Sequence, residues 1–339
     1  MTESSLSRYL NLKLNHKAKL MSDIFLHHYP LSPFAEKIRL ILGYKGLAWK
    51  SVIIPNILPK PDVVALTGGY RKTPLLQVGS DIYCDTSLIC DVLEHLHPTP
   101  GLYPAQKGLA RILSQWADEK LFWAAMGYNF QPKAMADMFG QGLPPEKQQA
   151  MSKAFAEDRA KMRLGQPRIA LGDATSAYKS YLRRINNMLN GQDFLLCNAP
   201  TVADFSVYHP LWFTRRQTPM LASIFDATPS VLAWMDRMEA IGHGRMSESN
   251  AAESLAACAN ASFAESLFSQ EFFQDDHGIA LGSEVTIAAD NFGPETSQGA
   301  LISATRTHYT IRRTDERAGV VQVHFPRVGY ILKRVQTAT

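Results

Sequence analysis

The stretch Ile24-Phe-Leu-His-His-Tyr-Pro-Leu-Ser-Pro-Phe-Ala-Glu-Lys-Ile-Arg-Leu-Ile-Leu42 decides how the rest of this 339-residue chain is read. Its first part is short, apolar and aromatic-rich, and reads as a strand that ends in a tight turn. Its second part opens with Ser32-Pro33. Serine is a favoured helix N-cap, and proline is best tolerated at the first helical position. Phe34, Ile38, Ile41 and Leu42 then recur at helical spacing and predict one apolar face. A helix start at the end of a strand presents free backbone N–H groups, a hydroxyl and the positive end of the helix dipole. That combination suits an anion such as a thiolate.

Outward from this stretch, residues 21–102 alternate strand and helix signals. After the helix of about residues 33–44, Trp49–Ile54 reads as a second strand, and Pro55, Pro59 and Pro61 break the segment after it. Thr73–Val78 and Asp81–Cys84 are strands joined by Gly79-Ser80 as a hairpin. Asp85-Thr86 opens a helix whose apolar face is Leu88, Ile89, Val92, Leu93 and Leu96, and Pro98 stops it. This order predicts a small mixed sheet covered by helices.

Residues 103–245 read as helical almost throughout. Leu113, Trp116, Leu121 and Phe122 lie near helical spacing, and Tyr178, Leu182, Ile185 and Leu189 lie on it. Thr201-Val-Ala-Asp204 is a variant of the capping box. Residues 131–167 read as an elaborated hairpin. Residues 246–339 form a third region, with a short helix in 247–273 and then period-two segments. Val285–Ile287, Ala300–Ile311, Val320–Phe325 and Tyr330–Val335 are rich in β-branched residues and predict a small antiparallel sheet or barrel. Residues 1–20 are polar and basic, and are expected to be a loosely attached extension.

The totals narrow the function classes. The chain is 46% hydrophobic and 19% charged, with a net charge of +4 and no Lys/Arg run of five. Nothing here requires a nucleic acid or a membrane surface. Four scattered cysteines, Cys84, Cys90, Cys197 and Cys258, with no C-x-x-C, argue against a disulfide framework or a zinc site. They predict a reducing, cytoplasmic setting.

Residues 23–245 resemble the cytosolic glutathione transferases, in which a thioredoxin-like domain precedes an all-helical one. Ser32-Pro-Phe-Ala-Glu36 looks most like the omega-class Cys-Pro-Phe-Ala-Glu, with serine in place of the cysteine, as in the tau, phi, theta and zeta classes. Lys60-Pro61-Asp62 resembles the Lys-Pro-Glu of omega enzymes. Arg71-Lys-Thr-Pro-Leu-Leu76 matches the stretch that carries the cis-proline, Asp85-Thr86-x-x-Ile89 matches the acidic-hydroxyl pair, and Thr201–Asp204 matches the helical-domain cap. The predicted fold is thus a thioredoxin-like α/β domain, an all-α domain and a small antiparallel β domain. The last lies outside the common pattern and looks like an appendage.

The resemblance implies glutathione as co-substrate and a small electrophile or hydrophobic molecule as second substrate, in a homodimer. It assigns the catalytic role to Ser32, whose hydroxyl would donate to the glutathione sulfur. Lowering a thiol pKa by about two units needs roughly 2.7 kcal/mol. A charge-assisted hydrogen bond of roughly 1.5–3 kcal/mol and a dipole contribution of roughly 0.3–1 kcal/mol supply that. Glutathione contacts are assigned to Tyr29, Phe34, Lys60, Lys72, Thr73, Pro74, Asp85 and Thr86. Thr73 would pair with the cysteinyl backbone, Asp85 and Thr86 would take the γ-glutamyl amine and carboxylate, and Lys60, Arg71 or Lys72 would face the glycyl carboxylate. Tyr29 is read as a packed residue, a lid or a rival sulfur donor. His28 is read as a partnered strand residue, and Arg39 as a structural ion-pair partner. The electrophile is expected beside Trp116 and Phe122. Two alternatives stand beside this reading, an omega-like thiol transferase and a non-catalytic scaffold.

Overall fold

A computed structural model describes residues 23–104, 106–140, 143–261, 272–274 and 276–336. The expected extension, residues 1–20, lies outside the described residues. The chain forms two compact units. Of the described residues, one contains 23–29, Ala48–His97 and those from Arg245 to 336; the other contains those within Pro30–Leu47 and Pro98–Gly244.

In chain order, strand β1 is Ile24–His28, helix α1 is Pro33–Tyr44, β2 is Ala48–Ile53, α2 is Pro61–Thr67, β3 is Leu75–Val78, β4 is Asp81–Cys84 and α3 is Thr86–Leu96. All of these except α1 belong to the first unit. The strand and helix alternation read from the sequence is met, and the segment that the prolines interrupt resumes as the helix α2 from Pro61. Strand β1 is buried along its whole length, which explains its near-continuous apolar run. Its two histidines are the polar exceptions, and each has a partner. His27 Nε2 meets Gln77 Oε1 at 2.8 Å and His28 Nε2 meets Ser51 Oγ at 2.9 Å.

The rest of the first unit comes from the C-terminal region. It comprises β5 (Arg245–Ser249), α11 (Ala251–Ala259), β6 (Glu284–Ala289), β7 (Ser297–Ala304), β8 (His308–Asp315), β9 (Gly319–Pro326) and β10 (Tyr330–Arg334). Strands β6 to β10 pair antiparallel with one another, as the period-two pattern predicts. The single run expected over Ala300–Ile311 is two strands. Thr305 Oγ1 accepts from the backbone N–H groups of Thr307 and His308, both at 3.2 Å, and turns the chain between β7 and β8.

These strands do not close on themselves. The ten strands of the described residues form one sheet, in the order β10-β6-β7-β8-β9-β4-β3-β1-β2-β5. Strand β9 runs parallel to β4, with Asp81 opposite Gln322, Ile82 opposite Val323 and Tyr83 opposite His324. Strand β5 runs parallel to β2. An open sheet edge exposes unpaired N–H and C=O groups, and here both edges of the β2-β1-β3-β4 sheet are covered. Behind the seam one core is shared: Leu66, Leu75 and Ile82 are buried with Val285, Ile311, Val323 and Phe325. A buried polar chain stitches the same seam. Asp81 Oδ1 meets His324 Nε2 at 2.8 Å, His324 Nδ1 meets Thr310 Oγ1 at 2.9 Å, and the His324 ring stacks on Tyr83 at 4.5 Å.

In the second unit, α1 is joined by α4 (Lys107–Trp116), a π-type turn Ala117–Leu121, α5 (Phe122–Asn129), α6 (Pro132–Gly140), α7 (Pro145–Met162), α8 (Leu171–Met188), α9 (Val202–Trp212) and α10 (Pro229–Glu239). Helix α9 is buried on all sides, so its start must be satisfied internally. Asp204 does this, and is itself fully buried. Its Oδ2 accepts from the Thr201 backbone N–H at 2.8 Å and the Thr201 hydroxyl at 2.9 Å. Its Oδ1 accepts from the Leu195 backbone N–H at 2.9 Å and Trp234 Nε1 at 3.1 Å. Among the described residues no helix is long and apolar enough to cross a membrane.

These buried groups set two stability expectations. Asp204→Ala orphans four donors at once and is expected to lower the unfolding free energy by about 3 kcal/mol, read as a lower denaturant midpoint at unchanged slope. His324→Ala is expected to cost about 3 kcal/mol, because it takes the histidine partner from the buried Asp81 carboxylate. In a double-mutant cycle with Asp81→Asn, the two losses are expected to fall well short of adding. Additive losses would mean that the pair does not hold the seam.

Candidate functional site

Ser32 is the N-cap of α1 and is buried, with only 2% of its surface exposed. Its Oγ accepts from the Ala35 backbone N–H at 3.2 Å. Accepting uses a lone pair, so the hydroxyl proton is left to donate. Pro33 occupies the first turn, where its missing N–H costs nothing.

The first turns of α1 are held from several directions within the second unit. Phe34 packs against the rings of Phe122 at 4.7 Å and His209 at 4.5 Å. The fully buried Lys37 donates to Asp118 Oδ2 at 2.7 Å, and His209 Nε2 meets Asp118 Oδ1 at 3.0 Å. Arg39 Nη2 donates to Glu36 Oε2 at 2.6 Å and to the Pro30 carbonyl at 3.1 Å. Arg39 is thus the structural ion-pair partner that the sequence suggests, and it also clamps the turn before Ser32. His243 Nε2 meets Glu36 Oε1 at 3.1 Å. Burial pushes the Glu36 carboxyl up, but the His243 hydrogen bond and the Arg39 charge outweigh it and hold the carboxyl below its ordinary value. Glu36 therefore stays ionised in the first turn, where a negative charge favours the helix.

Trp116 and Phe122, expected beside the electrophile, are each partnered within the helical unit. Trp116 lies edge-on to Tyr181 at 5.1 Å, and Phe122 packs against Phe34.

The other sequence-read residues lie in or next to the first unit's sheet. The Thr73–Pro74 bond is cis. Lys60 is buried, and its Nζ donates to the Arg71 carbonyl at 3.1 Å and to Thr73 Oγ1 at 3.3 Å, 5.7 Å from the Tyr29 ring centre. Lys60, read from sequence as a ligand-facing charge, thereby braces the loop before Pro74. Arg71 is also buried, with its Nε 2.6 Å from Glu295 Oε1.

Asp85, not Thr86, caps α3. Its backbone sits at φ 75°, a left-handed conformation that a non-glycine residue seldom adopts. From there its Oδ1 accepts from the Ser87 N–H at 2.9 Å and the Ser87 hydroxyl at 2.7 Å. Thr86 is the buried first residue of the helix. No sequence signal marks the residue that takes the second Asp85 oxygen. Tyr330, from β10, donates its hydroxyl to Asp85 Oδ2 at 3.1 Å. Lys72 lies over the Tyr330 ring at 4.9 Å and the Tyr70 ring at 5.8 Å. Burial lowers the Lys72 ammonium pKa, against the pull of Asp85.

Two of the four thiols, Cys84 and Cys258, are held protonated by burial. Cys84 adjoins Asp85, but burial, and then the Asp85 charge, push its pKa well above the ordinary value. Burial pushes Cys258 up to about 12. A thiol held protonated is a poor nucleophile.

Two family models match the chain: the glutathione S-transferase N-terminal domain over residues 26–101 and the glutathione S-transferase C-terminal domain over residues 150–237. A solved GST-like protein from Pseudomonas syringae is 40% identical. It superposes with a TM-score of 0.77 over 93% of this chain and 100% of its own. FtsZ-localized protein A of Caulobacter vibrioides is 25% identical over 187 residues, 53% of this chain and 72% of that protein. Pyrimidodiazepine synthase of Drosophila melanogaster is 27% identical over 124 residues, 35% of this chain and 50% of the synthase, so the chain spans half the length of that relative. With both family models matched in order and a 40% identical relative covered end to end, the chain belongs to the glutathione S-transferase superfamily.

Proposed function

We propose that the chain is a glutathione transferase in which the Ser32 hydroxyl holds the glutathione sulfur as a thiolate. The carrying observation is the Ser32 geometry: a buried N-cap hydroxyl whose oxygen already accepts from Ala35 and whose proton remains to be donated. The backbone N–H groups of the first turn add their partial positive charge. The thiol gives up its proton to solvent. The sulfur lone pair then forms a C–S bond at an electrophilic carbon, and the leaving group departs with the bonding electrons of the bond that breaks. Thr73, Asp85, Thr86 and Lys72 bind the tripeptide on this reading, as the family pattern of those positions suggests.

Serine in place of cysteine disfavours reduction through a mixed disulfide, because a hydroxyl forms none. The raised pKa values of Cys84 and Cys258 point the same way. The relative named for its localisation with FtsZ supports a second reading, a module that binds a partner without turnover. Retention on immobilised glutathione together with turnover of a generic aryl halide favours the transferase. Retention without turnover favours the module.

Ser32→Ala is the direct test. Loss of one hydrogen bond to a charged sulfur is expected to cut kcat/KM for an aryl halide at neutral pH by about 10- to 100-fold. It is also expected to raise the apparent pKa of the pH–rate profile by about one to two units. Because the group stabilised is the anion, the loss should be largest at neutral pH and should shrink as the pH approaches that of the free thiol. Glutathione affinity, measured by calorimetry at low pH where the thiol is protonated, is expected to change little. A variant that keeps full turnover and an unmoved profile would remove Ser32 from the mechanism.

A further inference from the structure

The C-terminal strands do more than extend the sheet, because they grip the segments on which the proposed glutathione contacts sit. Residues 295–297 lie hard against the loop that precedes Pro74. Glu295 pairs with Arg71, and Ser297 Oγ accepts from the Tyr70 backbone N–H at 3.3 Å. A Cβ added at Gly69 would meet the Thr296 carbonyl oxygen at 2.2 Å, so the two backbones approach as closely as glycine allows. From the other side Tyr330 reaches the same loop and α3 together. Its hydroxyl lies 3.2 Å from the Tyr70 hydroxyl and 3.1 Å from Asp85 Oδ2.

The charges in this cluster are held in an unusual way. The hydrogen bonds to Asp85 come from neutral donors, the Ser87 N–H and hydroxyl and the Tyr330 hydroxyl. Among the described residues no cation lies within ion-pair distance of it. Lys72 rests on two aromatic faces, and among the described residues it has no carboxylate within ion-pair distance either. Its charged neighbours, Asp85, Asp290 and Glu295, act on it only at longer range. A half-buried carboxylate oriented by neutral donors retains its charge for an incoming ammonium. An ammonium resting on aromatic faces retains its charge for an incoming carboxylate.

We infer that Tyr330 is a positioning residue for ligand recognition. The appended strand β10 fixes the Asp85 carboxylate, through the Tyr330 hydroxyl, in the orientation that takes the α-ammonium of a γ-glutamyl group. The appendage thereby becomes a specificity element of the peptide site. This inference rests on the glutathione reading proposed above.

The test is calorimetric binding to the full chain of two ligands, glutathione and its analogue in which hydrogen replaces the α-ammonium. The wild-type chain is expected to bind glutathione more tightly than the analogue. Tyr330→Phe, which removes only one oxygen, is expected to weaken glutathione about tenfold, as for one hydrogen bond to a charged group, and to leave the analogue unchanged. Asp85→Asn is expected to erase the discrimination between the two ligands, which keeps the test decisive if Tyr330→Phe proves poorly folded. Equal weakening of both ligands by Tyr330→Phe would reduce Tyr330 to a general structural role and overturn the inference, as would no weakening of either. If the wild-type chain binds neither ligand, the glutathione reading itself falls and this inference falls with it. If the wild type binds and discriminates but Tyr330→Phe does the same, only the role of Tyr330 falls.

Discussion

The parallel pairing of β4 with β9 is the constraint on which the first unit depends. Strand β4 is only four residues long, yet it carries two things at once. At its start Asp81 is bound to His324, and one residue past its end Asp85 opens α3. Pairing β9 to β4 therefore fixes the register of the whole C-terminal meander against the strand that delivers Asp85. A slip of one residue would turn Val323 out of the shared core and His324 away from Asp81. The polar chain Asp81–His324–Thr310 makes such a slip costly, since each member would lose its partner inside the protein. It superficially resembles a hydroxyl–histidine–carboxylate relay. All three members are buried, however, so its role is to lock register rather than to meet a substrate.

The helical unit uses buried charge for a comparable end. Lys37 is fully buried on α1 and meets Asp118, which also meets His209 from the buried helix α9. A buried ion pair contributes little net stability compared with an apolar replacement, but breaking one is expensive. Such a pair is therefore better suited to fixing α1 against the π-type turn and α9 than to holding the unit together. Arg39, Glu36 and His243 do the same for the turn that presents Ser32. The serine is thus held in position by side chains of its own unit.

Much of this is legible in the sequence, and the parts that are not have physical reasons. The strand–turn–helix around Ser32, the hairpin of β3 and β4 and the Thr201–Asp204 cap are local, so residue order alone reveals them, whereas the cis bond at Pro74 follows from the family resemblance and not from the dipeptide. The antiparallel pattern of the C-terminal strands is legible for the same reason, since alternation has a period of two. Their attachment to β4 is not. Pairing of residues 81–83 with residues 322–324 is long-range, and period two reports which face of a strand is buried, not which strand lies beside it. Strand β5 escapes sequence reading because Arg245–Ser249 is polar and almost wholly exposed. It is a strand because β2 offers it an edge, not because its residues prefer one. The split of the Ala300–Ile311 run turns on a single side chain, Thr305, that bonds its own backbone.

Lys60 and Tyr330 mark the limit of reading function from a chain. Both carry polar tips, and sequence distinguishes neither a brace from a ligand contact nor a strand residue from a site residue. Lys60 commits its ammonium to the Arg71 carbonyl and Thr73, so its charge stiffens the loop before Pro74. Tyr330 is a neutral residue 245 positions from Asp85, yet it meets the carboxylate directly. The difference is electrostatic. A cation placed against Asp85 would have neutralised the charge that a ligand ammonium needs, whereas a phenol orients the carboxylate and leaves its charge intact. A neutral donor is therefore the fitting choice for a residue that holds a recognition carboxylate in place, and a tyrosine on an appended strand supplies one without adding a competing charge.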